Sequence, residues 1–149
     1  MNIHPIFVHF PIALLTTYAV LELLRFDFIN RQPYWFYVKA VLVILGALSG
    51  YVTIVTGLMA ESLIKDQSSH TLISTHELWA ITSIGIFSII ALVYLWSWWN
   101  SRFGMKSKLV LVLALAGILC LLITGALGGS IIFGHTTDPF TNWIYNLFF

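Results

Sequence analysis

Residues 4–26, HPIFVHFPIALLTTYAVLELLRF, decide how many helices the chain forms. An N-terminal apolar run of this length is either a leader that is removed or a membrane span that is kept. A leader carries basic residues before its apolar stretch and a small-residue cleavage site after it. Here Met1, Asn2 and Ile3 precede the run, and Glu22 and Arg25 close it. We read it as a retained span over about 5–26, the first of four. The stretches 34–60, 74–100 and 108–133 are each long enough to cross a hydrocarbon core of roughly 30 Å at about 20 residues per helix. Short polar connections separate them, which predicts an all-α, up-down-up-down four-helix bundle in the membrane, a single domain spanning 1–149. The aromatic tail 139–149 follows Pro139 and suits a segment lying in the headgroup interface.

Composition agrees. Of 149 residues, 59% are hydrophobic and 9% charged, and the mean hydropathy is +0.92, values outside the range of soluble domains. The net charge of +1 and the lack of a basic patch exclude nucleic acid as a partner. The glycine clusters fall inside spans, so none forms a phosphate-binding loop. Cys120 is the only cysteine, which rules out a disulfide within the chain, and no CxxCH motif for covalent haem attachment occurs.

Six of the seven basic residues, Arg25, Arg31, Lys39, Arg102, Lys106 and Lys108, flank the first and third connections, and only Lys65 lies on the other side. By the positive-inside rule those connections are cytoplasmic, so both termini face the periplasm in a bacterial inner membrane. All five histidines then collect at the outer face: His4, His9, His70, His76 and His135. Ionisable groups at membrane depth are candidates for function.

Pro5 suits the first turn of a helix, which makes His4 its entrance and sets His9 about one turn deeper. Pro11 removes a backbone donor and should open the turn at Phe7. Ser74 and Glu77 have the spacing of a capping box, which predicts a third helix starting there with His76 in its first turn. His9 and His76 then lie at similar depth. Helices two and four are marked by glycines, among them Gly46, Gly50 and Gly57, and Gly117, Gly125, Gly128 and Gly129. Absent side chains allow tight helix packing through pairs such as Gly46/Gly50 and Gly125/Gly129, or the approach of a flat macrocycle to the backbone. Each histidine-headed helix is followed by a glycine-marked one, a weak parallel repeat that makes His9 and His76 approximate equivalents. With neighbouring helices about 8–10 Å apart, the diagonal of roughly 12–14 Å suits two imidazoles ligating one iron from opposite sides.

HPIFVHFPIALL at 4–15, the Gly50 and Gly57 pair, His76 heading the third helix, and TGALGGSIIFGH at 124–135 resemble a bacterial four-helix membrane family, domain of unknown function 2231. The resemblance covers nearly the whole chain, and HPxxVHFP is its most specific part. It implies a four-span bundle and haem-linked electron transfer beside c-type cytochrome modules, with His4, His9, His76 and His135 as the carried-over positions. After His135 the chain departs from the family's glycine-rich pattern with Thr136, Thr137, Asp138 and Pro139.

The leading expectation is a non-covalent haem b held by His9 and His76, with His4 or His135 as substitute ligands or propionate partners. Gly50, Gly57, Gly125 and Gly128 would shape the pocket, and Phe10, Trp79 and Phe133 would flank it. Copper or zinc held by the histidines with Glu61 or Glu77 is the alternative, as is a cofactor-free accessory subunit. In each case the chain reads as an electron carrier or complex subunit rather than a stand-alone enzyme. Its partners would be other membrane subunits or a c-type cytochrome, with a quinone at the same surface.

Overall fold

The computed structural model describes residues 4–24, 32, 34–61, 70–100 and 107–149. Four helices in it are long and apolar enough to cross a membrane: α1 (His4–Leu23), α2 (Tyr34–Glu61), α3 (His70–Trp99) and α4 (Lys108–Phe133). A short α5 (Pro139–Phe148) follows. Among the described residues there is no strand. Arg25, Arg31, Lys65, Arg102 and Lys106, on which the expected orientation rests, lie outside the described residues. The two ends of the bundle are therefore named for what they carry, a histidine end and a Glu22 end.

One expected boundary moves. The third helix begins at His70, a turn before the Ser74 capping box. Ser74 and Thr75 both donate their hydroxyls back to the Thr71 carbonyl, at 3.0 and 2.8 Å. Inside an apolar helix this internal partner replaces a cap, and His76 accordingly sits in the second turn.

The helices form a ring in chain order. α1 packs closely on α2 and α3 on α4, and the α2–α3 and α1–α4 seams are looser. Close approach within each pair comes from glycine. A Cβ on Gly46 would overlap Leu15, and one on Gly117 would overlap Phe87. The two pairs are copies of one pattern. The buried residues of α1, Pro11, Leu15, Tyr18, Ala19 and Glu22, recur at the same spacing in α3 as buried Ser83, Phe87, Ile90, Ala91 and Tyr94. Helices α2 and α4 share Gly-x6-Thr-x3-Gly, as Gly46, Thr53, Gly57 and Gly117, Thr124, Gly128.

The core is thickest toward the Glu22 end, where Tyr18 meets Phe87 and Tyr94 edge-on at ring distances of 6.2 and 5.9 Å. These long side chains span the α1–α3 diagonal. Glu22, 2% exposed, accepts from the Lys39 ammonium and the Tyr94 hydroxyl, both at 3.0 Å. A carboxylate this deep is tolerable only with a cation and hydrogen bonds around it, and the triad thereby ties α1, α2 and α3 together.

At the other end α4 stops at Gly134, whose φ of 83° favours glycine. Thr137 donates its hydroxyl to the Phe133 and Gly134 carbonyls. Asp138 then caps α5 by accepting from the Thr141 N–H at 2.9 Å, with Pro139 in the first turn. Ile144 seats α5 against Ile123, Ala126 and Leu127, and Phe148 meets Trp79.

Replacing Lys39 with Met should leave the Glu22 carboxylate short of its cation, at a cost of about 3–5 kcal/mol. Pairing Lys39→Met with Glu22→Gln should recover most of that loss, and thermal unfolding in detergent reads both. Hydrogen bonds from Thr141, its hydroxyl first and its N–H next, hold the Asp138 carboxyl below the usual carboxylate range. Its stabilising effect is complete above about pH 4 and fades as pH falls through the lowered value. Hydrogen exchange in residues 139–148 should therefore rise in acid before that of the four long helices.

Candidate functional site

Two histidines stand in matching positions at the histidine end. His76, half-buried on α3, has its Nδ1 3.0 Å from the Thr124 carbonyl of α4. A carbonyl can only accept, so Nδ1 carries the proton and the Nε2 lone pair remains in the neutral ring. His4, half-buried at the head of α1, has its Nδ1 3.2 Å from the Thr56 hydroxyl of α2. That hydroxyl gives its own proton to the Thr53 carbonyl at 3.0 Å, so it accepts from His4, and the tautomer is the same.

The space for each ring is made by a glycine. A Cβ on Gly57 would stand 3.1 Å from His4 Cε1, and a Cβ on Gly128 would stand 3.1 Å from His76 Cε1. These are the paired glycines of the repeated motif, and Thr53 and Thr124 are its paired threonines. The two halves thus each place an imidazole over the motif's second glycine, on diagonal helices, His4 against the Thr56 hydroxyl and His76 against the Thr124 carbonyl. Pro11 lies inside the continuous α1 helix. The Phe7 carbonyl, which loses its donor to Pro11, accepts instead from the Thr53 hydroxyl at 3.1 Å, which fixes the head of α1 on α2.

The other expected site residues lie elsewhere. His9 is exposed and donates to the Pro5 carbonyl of its own helix at 2.7 Å. At 3.6 residues per turn it lies about 140° around the helix from His4, so the two cannot share a face. The equivalence of His9 with His76 gives way to that of His4 with His76. His135 lies beyond the end of α4, exposed, stacked on Tyr145 at 4.2 Å. His70 is exposed at the start of α3. Gly50 receives Ile84, whereas a Cβ on Gly125 would meet nothing within 4 Å. Phe10 and Phe133 are exposed, and Trp79 packs under α5.

Among the described residues no group of three His, Cys, Asp or Glu side chains comes together. The site is therefore a two-donor arrangement. Thr53, Thr56 and Thr124 are the residues that sequence reading missed, and the signal for two of them is the duplicated Gly-x6-Thr-x3-Gly. Side-chain 15N NMR of the neutral rings should find Nδ1 protonated in both His4 and His76. An Nε2–H form at either would contradict the assignment.

No curated protein and no solved structure matches the chain. A family model described as a predicted membrane protein matches residues 1–138. With that match over most of its length, and with four membrane-length helices in a bundle, the chain belongs to the DUF2231 family of predicted membrane proteins.

Proposed function

We propose that the chain is a membrane-embedded electron-transfer subunit that binds haem b between His4 and His76. The observation that carries this reading is the pair of imidazoles on diagonal helices, each oriented through its Nδ1 by a threonine of the neighbouring helix and seated over a glycine. Ring orientation fixed through the far nitrogen is how proteins prepare histidine ligands. Two protein donors also suit a group that brings four ligands of its own. Zinc asks for three or four protein donors, and no such group forms among the described residues.

Haem iron with two histidine ligands supplies one-electron exchange, its potential tuned by the axial pair, burial and hydrogen bonds. His4 and His76 would hold the iron as its two protein ligands, and the role this supports is that of an electron carrier. Thr56 and the Thr124 carbonyl hold the ring protons at Nδ1, and Gly57 and Gly128 let the rings lie against the helix backbones. In this reading the histidine end faces the periplasm of a bacterial inner membrane, within reach of a c-type cytochrome or other membrane subunits.

A reduced-minus-oxidised spectrum of the detergent-purified protein, with a pyridine haemochrome assay, tests the proposal. Wild type is expected to show a b-type α band that His4→Ala and His76→Ala each abolish and His9→Ala preserves. A pure, folded, colourless wild type, or a band lost in His9→Ala and kept in His4→Ala, would overturn it.

A further inference from the structure

The repeat offers an internal comparison between its two seams. At the α2–α3 seam Ile84 fills the space over Gly50, and the Tyr51 and Ser88 hydroxyls meet at 2.9 Å. The α4–α1 seam carries Leu121 where the other has Gly50, Leu122 for Tyr51, Ile12 for Ile84 and Thr16 for Ser88. Neither closing device is present there. A groove of about 290 Å³ remains, lined by these four residues together with Gly125. Its mouth at the histidine end is formed by Asp138, Phe140 and Thr141 where α5 begins.

We propose that this groove seats a membrane quinol, its ring over Gly125 with one hydroxyl donating to the Asp138 carboxylate, and its isoprenoid tail along Ile12, Leu121 and Leu122. Four observations select this occupant. The volume lies just under the usual range for ligand sites, roughly 300–1,000 Å³, room for one substituted ring and the start of its tail. The lining is apolar along the seam and ends in a carboxylate, which complements a neutral donor on an apolar body better than it does a phosphate headgroup. Asp138 caps α5 by accepting from Thr141, and a carboxylate, with about four lone-pair sites, can accept from a ligand as well. Finally, Gly125 follows Thr124, whose carbonyl orients His76. The choice of a redox-active lipid rests on the electron-transfer reading of that histidine pair.

The test is binding of decylubiquinol, under anaerobic conditions, to the full chain in phosphatidylcholine nanodiscs, measured above partition into empty discs. Wild type should bind one quinol per chain saturably and hold decylubiquinone at least tenfold more weakly, because the oxidised ring has no hydroxyl to donate. Gly125→Leu should abolish binding, since the new side chain enters open space rather than the core. Asp138→Asn, which keeps the helix cap, should weaken quinol binding about tenfold and leave the quinone unaffected. The His4→Ala/His76→Ala double variant should still bind, which separates the groove from the metal-ligand reading. Non-saturable uptake by wild type, as expected of a groove occupied by bilayer phospholipid, would overturn the proposal. So would equal binding by Gly125→Leu.

Discussion

The register in which Leu15 seats on Gly46 and Phe87 on Gly117 governs what the rest of the bundle can do. Lipid is as apolar as leucine, so helices in a bilayer gain little by hiding hydrophobic side chains and must associate through close fit and internal hydrogen bonds. A large side chain set into a glycine notch fixes how far one helix can slide or turn on its neighbour. One notch in each hairpin places Gly57 under His4 and Gly128 under His76 about three turns further along. The same alignment brings the Thr53 hydroxyl to the carbonyl that Pro11 leaves without its helical donor. An unmet carbonyl in hydrocarbon is costly, so the proline and the threonine serve as two halves of one solution.

At the opposite end the same alignment yields an ion pair. Glu22 and Tyr94 occupy equivalent positions in the repeat, and they meet each other across the diagonal with Lys39 completing the contact. Where the histidine end duplicates a residue, this end substitutes an acceptor in one half and a donor in the other. Complementary groups facing one another can bond directly. Identical ones cannot pair in this way, and each histidine is held instead by the helix beside it.

Much of this was legible in the sequence, and the failures share a cause. Hydropathy located the four spans well because span length is set by bilayer thickness, whatever the helices touch. Depth along the axis could be counted from residue numbers, so His9 and His76 were matched by depth. The angle around the axis decides which residue faces inward, and it separates His9 from His4. Ser74 and Glu77 satisfied a local capping rule that the preceding turn overrode, because a serine in an apolar helix finds its acceptor a turn behind. Lys39 counted toward the expected orientation and Glu22 toward reading the first apolar run as a span, yet neither pattern says that the two meet. Leu121 and Leu122 are indistinguishable by hydropathy from core leucines, and only comparison with Gly50 and Tyr51 reveals the open seam.

A bundle made of two like halves sets a problem of direction. Anything held on the axis between them meets the same surroundings from either side, so the duplicated elements cannot distinguish arrival from departure. That distinction has to come from what the second half has and the first lacks. Among the described residues α5 is such a feature, packed on α4 and on Trp79 of α3, with Asp138 at its head and Trp143 and Leu147 turned outward. It gives an otherwise two-faced molecule a front and a back.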